Sequence, residues 1–191
     1  VEAVRELAEV DGYRDAGAQL FAQLADDATL EGSNRVRAAR ELARVDGYRD
    51  VGADRLIAFA NDTTLQGTTS FKRINRVEAV RELAEVDGYR DAGAQLFAQL
   101  ADDATLEGRD RVRAARGLAG VDGYRDVGAD RLIAFANDTT LHDTTLHDTT
   151  LHGTTIFMRI NRVEAVRELA EVDGYRDRAV QLLTQLADDA T

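Results

Sequence analysis

The chain contains no cysteine, no proline and no tryptophan, and only one methionine. Without cysteine it can form no disulfide, no thiolate metal site and no cysteine nucleophile, a composition that fits a cytoplasmic protein. Without proline, nothing along its 191 residues removes a helical amide donor. Aromatic residues make up 6% of the chain, too few to build a core by themselves. The apolar mass is instead alanine, leucine and valine, which suits helices. Basic residues are outnumbered 24 to 35, for a formal charge of −11. Phosphate neutralisation needs a basic stripe, and there is none, so nucleic acid is not an expected partner. No apolar run approaches the roughly 18 residues of a membrane span, so no membrane partner is expected either. No signal peptide is visible, and the sequence opens on Val1 rather than on a methionine.

What is present is one unit written five times. "VEAVRELAEVDGYRD" stands at 1–15, 77–91 and 163–177, with the variants "VRAARELARVDGYRD" at 36–50 and "VRAARGLAGVDGYRD" at 112–126. The units run 1–35, 36–76, 77–111, 112–162 and 163–191, and alternate between two types; residues 1–32 are identical to 77–108. Spacings of 35, 41, 35 and 51 residues separate their starts. The last exceeds the second by two pentads. "NDTTLQGTTSFKRINR" has become "NDTTLHDTTLHDTTLHGTTIFMRINR", so 138–155 reads as an expanded pentad linker within unit four.

Each unit reads as two helices. Val1, Val4, Leu7 and Ala8 fall on one face at helical spacing, with Glu2, Arg5, Glu6 and Glu9 opposite. Gly12 of "VDGYRD" sits where a helix ends in the left-handed conformation. The second helix begins near Tyr13–Asp15, with Ala16, Leu20, Phe21, Leu24 and Ala28 as its expected apolar stripe. Ser33 and Asp110 are the expected N-caps of the following helices. In the long junctions Phe71 and Ile74, and again Phe157 and Ile160, continue the spacing backward, so those first helices are expected to start a turn or two early. Phe21 and Leu24 exchange places with Leu56 and Phe59 between the two unit types, conserving volume as interdigitating layers require. A pair of this size cannot bury enough apolar surface alone, but stacked pairs share a continuous core. Gly117 and Gly120 replace Glu41 and Arg44, and at about 0.5–1 kcal/mol for each mid-helix glycine they mark unit four as the expected weak point.

"NRVRAARELARVDGYRDVGADRLIAFANDTTL" resembles a HEAT-like repeat, with its Val-Arg opening, small residues in the first helix, Gly/Asp turn and Leu-rich second helix. The resemblance covers essentially the whole chain. It implies an all-α, right-handed α-solenoid of five stacked antiparallel helix pairs, with partners held along the second helices. Such alanine- and aspartate-rich arrays resemble the sensor arms of bacterial signal-transducing NTPases, although no phosphate-binding loop is present. A tetratricopeptide-like array is the second choice. "DGYRDAGAQL" resembles that family's second-helix opening, but the 41- and 51-residue spacings depart from a regular 34.

Candidate sites follow. His142, His147 and His152 hold all the histidine of the chain at five-residue spacing. On a helix successive members point about 140° apart and cannot converge on a metal. They are read as passengers of a duplicated linker, with a zinc or copper site as the weak alternative. The five tyrosines, Tyr13, Tyr48, Tyr89, Tyr124 and Tyr175, are read as packing at the interhelix turns with their hydroxyls wet. The pairs Asp26–Asp27, Asp102–Asp103 and Asp188–Asp189 stand where the helix dipole disfavours acids, with a calcium ladder as a lesser alternative. The row Gln19, Gln23, Asp54, Arg55, Gln95, Gln99, Asp130 and Arg131 is the candidate partner-binding surface. The expected function is a non-catalytic scaffold that binds protein or peptide without a cofactor, as a fragment or sensor arm of a larger protein. The alternative is a structural spacer or self-assembling element, with self-association through uncapped ends.

Overall fold

A computed structural model describes residues 2–9, 12–63, 76–141 and 151–188. Among these the chain is all-helical, with ten helices: α1 (Glu2–Glu9), α2 (Arg14–Asp26), α3 (Gly32–Arg44), α4 (Arg49–Asn61), α5 (Arg76–Ala84), α6 (Arg90–Asp102), α7 (Gly108–Ala119), α8 (Arg125–Asn137), α9 (Leu151–Ala170) and α10 (Arg176–Asp188). They belong to two compact units, Val1–Leu96 and Phe97–Thr191, with the boundary inside α6.

In the first unit α1 packs on α2, α2 on α3, α3 on α4 and α4 on α5, and α3 also touches α5. In the second, α7 packs on α8, α8 on α9 and α9 on α10, and α7 also touches α9. Neighbour packing plus contact between successive first helices is the arrangement of an α-solenoid, a helical repeat array. The turn within each repeat follows its sequence signal. Gly12, Gly47, Gly88, Gly123 and Gly174 have φ between 84° and 86°, so each "DGYRD" turns through a left-handed glycine. Every second helix then starts on the arginine after the tyrosine. α9 starts at Leu151, about three turns before Val163 and earlier than expected. Phe71 and Ile74 lie outside the described residues, as do the side chains of Phe157 and Ile160.

The buried stripe of the second helices is rotated from the expected one. Gly17, Ala18, Phe21 and Ala25 are buried in α2, whereas Ala16, Ala28 and Leu20 are exposed. Close approach to the first helix sets this rotation. A Cβ on Gly17 would lie 2.6 Å from the Ala8 Cβ, and one on Gly52 would lie 2.3 Å from the Ala43 amide nitrogen. Backbones so close turn the next residues, Ala18 and Phe21, inward. Full burial of a ring such as Phe21 contributes about 1.5–3 kcal/mol. Its counterparts Leu56, Phe97 and Leu132 are equally buried.

Two further expectations are corrected. Ser33 and Asp110 do not cap. The N-cap residues are Glu31 and Glu107, without a side-chain cap bond, and Asp110 instead pairs with Arg113 one turn on (3.3 Å). Nor are the unit-four glycines two mid-helix defects. α7 ends at Ala119, which makes Gly120 its C-cap, and the space beside Gly117 is filled by the Phe97 ring, 2.5 Å from where a Cβ would stand.

Candidate interaction surface

Several recurrent polar residues of the unit hold one repeat to the next. The arginine that precedes each internal unit's valine reaches back to the end of the previous second helix. Arg35 Nε donates to the Ala25 carbonyl (2.9 Å), Arg76 to Ala60 (2.6 Å), Arg111 to Ala101 (2.9 Å) and Arg162 to Ala136 (2.8 Å). A helix leaves its last carbonyls without partners and its C-terminal end partly negative, so a guanidinium there answers both needs. The guanidinium of Arg35 also lies 5.0 Å from the centre of the Phe59 ring, and Arg111 repeats this over Phe135. Sequence reasoning overlooked these arginines. The available signal was an arginine directly before the valine at all four internal junctions.

The paired aspartates divide between two tasks. The second of each pair closes the chain after the helix. Asp27 accepts from the Thr29 amide (2.9 Å) and hydroxyl (2.7 Å), and Asp103 does the same with Thr105. Asp138 accepts from Thr140 in the same way, and Leu141 beyond it is buried. The bonds from Thr29 hold the Asp27 carboxyl below its usual range. The first aspartate grips the next second helix: Asp26 takes Arg55 through both oxygens (3.0 and 2.7 Å), and Asp102 takes Arg131 likewise (3.2 and 2.8 Å). Asp188 is itself engaged, and Asp189 lies outside the described residues.

The tyrosines form a staircase. Tyr48 donates to Asp15 (3.2 Å) and Tyr89 to Asp50 (2.9 Å); in the second unit Tyr175 bonds Asp126. Each acceptor is the last residue of the preceding "DGYRD". Burial and then the bond to Asp15 raise the Tyr48 hydroxyl above its ordinary value of 10.0; for Tyr89 the bond to Asp50 is the larger cause.

First helices carry charge clusters. In the first unit Glu41, buried, binds Arg40 (2.7 Å), which also reaches Glu82 (3.1 Å). Glu82 and Glu85 line a cleft of about 290 Å³ with Arg40, Arg44 and Arg49. The Glu82 Oε2 is buried without a partner, and burial pushes this carboxyl up. In the second unit Arg116 pairs with Glu168 (3.2 Å) beside a cleft of about 470 Å³.

Against this background the expected binding row separates into two kinds. Gln19, Gln23, Asp54, Gln95, Gln99 and Asp130 are exposed on their second helices. Arg55 and Arg131 are not available cations: they are half-buried, held by Asp26 and Asp102 and by the carbonyls of Val51 and Val127. His142 and His147 lie outside the described residues. His152 falls in α9, but its side chain is outside them too. Among the described residues no group of three or more His, Asp or Glu side chains could hold a metal, and no helix is long and apolar enough to cross a membrane.

Comparison with protein-family models, with curated proteins and with solved structures gives no match.

Proposed function

We propose that the chain is a HEAT-like, non-catalytic scaffold that binds a protein or peptide along its second helices. One observation carries this reading. The junction arginines, Arg55 and Arg131, Tyr48, Tyr89 and Tyr175, and the aspartates they hold are engaged in repeat-to-repeat bonds, while Gln19, Gln23, Gln95 and Gln99 stand exposed in register at the same places of two repeats. Glutamines presented by helices offer both donors and acceptors, which suits a peptide backbone. Asp54 and Asp130 interleave a negative charge, favouring a partner with basic side chains. The HEAT-like assignment, rather than a tetratricopeptide one, rests on the variable unit spacing and the Val-Arg opening.

Panning a random peptide library against the chain tests the proposal. Enriched peptides should be basic, and should lose binding to a Gln19→Ala/Gln23→Ala/Gln95→Ala/Gln99→Ala variant. Arg81→Ala, at an exposed first-helix position, should leave binding intact. No enrichment, or binders that survive the second-helix changes and fail on Arg81→Ala, would overturn it.

A further inference from the structure

Each compact unit has a cleft where two successive repeats meet at their turns. In the first unit Arg40 and Arg44 of α3 line it, with Arg49 of α4 and with Glu82 and Glu85 of the following repeat. In the second unit mostly equivalent residues line it, but its volume is about 470 Å³ instead of about 290 Å³.

One replacement accounts for the added room. Gly120 stands where Arg44 lines the first cleft. A Cβ on Gly120 would meet only two carbonyl oxygens of its own helix, Gly117 at 3.3 Å and Arg116 at 3.7 Å. No other side chain has moved in where the arginine would start. The second replacement, Gly117 for Glu41, is made good by the Phe97 ring. The second unit therefore lacks both Arg44 and the carboxylate that Arg44 meets at 3.4 Å.

The charge balance shifts with the room. Four acids and three arginines line the first cleft. Four acids, Asp122, Asp126, Glu171 and Asp173, and only two arginines line the second. Those two arginines are already held, Arg116 by Glu168 (3.2 Å) and Arg125 by Asp126 (3.0 Å). The cleft also lies at the C-terminal ends of α7 and α9. There the last carbonyls lack helical partners and the helix dipole favours a cation. Space, charge and backbone all call for one group, and the first unit supplies that group from its own chain as Arg44.

We infer that the cleft of the second unit is a binding site for an arginine side chain of a partner polypeptide. The incoming guanidinium takes the place that Arg44 has in the first unit, among Asp122, Glu171 and Asp173. Its planar fork of donors suits carboxylates on more than one side. None of the second-helix glutamines lines this cleft, so the site stands or falls apart from them.

Calorimetric titration of the full chain with acetyl-Gly-Arg-Gly-amide, at low ionic strength, tests the inference. One peptide should bind per chain, because Arg44 already lines the first cleft. The peptide with citrulline in place of arginine has the same shape without the charge, and should not bind. Gly120→Arg refills the cleft from within and should abolish binding. Gly120 has an ordinary helical backbone (φ −82°), so a side chain there brings no strain, and an unchanged helical circular dichroism spectrum confirms that the variant folds. Glu171→Gln should weaken binding several-fold. Ser33→Arg adds the same charge at an exposed position whose counterpart in the second unit is already Arg109, and should leave binding intact. A parent chain that does not bind the arginine peptide would overturn the inference. So would equal binding of the citrulline peptide, binding that survives Gly120→Arg, or an equal loss in Ser33→Arg, the mark of general charge attraction.

Discussion

Asp26 and Asp27 are neighbours of the same type with different tasks: one grips Arg55 of the next second helix, and the other closes its own turn through Thr29. The sequence displayed the pair and its recurrence but not this division, because adjacent helical positions point about 100° apart and only the next repeat supplies Arg55. The same limit hid Arg35, whose acceptor is a backbone carbonyl ten residues earlier. It also left Arg55 looking like a free cation. At this scale Glu82 gives a pH-dependent prediction. Its Oε1 takes a bond from Arg40 while its Oε2 is buried without a partner, and burial raises its carboxyl above the ordinary value of 4.5. A carboxyl whose folded value is raised binds its proton more tightly in the folded chain. Stability from this group is therefore full at low pH and falls as pH rises from the ordinary value through the raised one. Glu82→Gln, neutral at all pH, should melt higher than the parent at neutral pH, and the gain should shrink as pH falls to about 4.5. Thermal melts of both proteins at the two pH values check this; an equal shift at both would contradict it.

Among the helices, ends were more legible than faces. A left-handed glycine stands in each "DGYRD" turn, two residues past the C-cap Val45 of α3 and three past the C-cap Gly120 of α7, and the arginine two residues after it starts the next helix. Faces were harder to read because alanine occupies inner and outer positions alike. Ala16 is exposed and Ala18 buried, and hydropathy cannot tell them apart. The deciding residue is Gly17, whose missing side chain lets α2 lie against Ala8. Gly117 in α7 shows the same competition between propensity and packing. Helix propensity says that Gly117→Ala should gain about 0.5–1 kcal/mol. The Phe97 ring, buried and 2.5–2.9 Å from the added Cβ, sets overpacking of about 1–3 kcal/mol against it. The larger effect wins, so Gly117→Ala should destabilise by about 1–2 kcal/mol. Chemical denaturation measures the difference, and a stabilised variant would show that Phe97 moves aside freely.

For the molecule as a whole, the repeat period carried the fold. Five copies of one amphipathic pair, none able to bury its apolar face alone, left stacking as the solution, and in both compact units successive helices do pack in chain order. The binding row was legible only as exposed positions, since a surface side chain records no partner in a single sequence. An acidic chain of charge −11 resists collapse onto itself, which gives weight to the many bonds that join its repeats. These polar bonds, the arginine at each junction foremost, fasten each pair to the next. In a stacked array such a bond acts locally, because each repeat contacts only its neighbours. Hydrogen exchange on Arg35→Met is the most direct measurement. α3 and α7 differ in sequence, so their peptides are told apart even though residues 1–32 and 77–108 are identical. Exchange should be faster in α3 of the variant and unchanged in α7. Unchanged exchange in α3 would contradict a fastening role for Arg35.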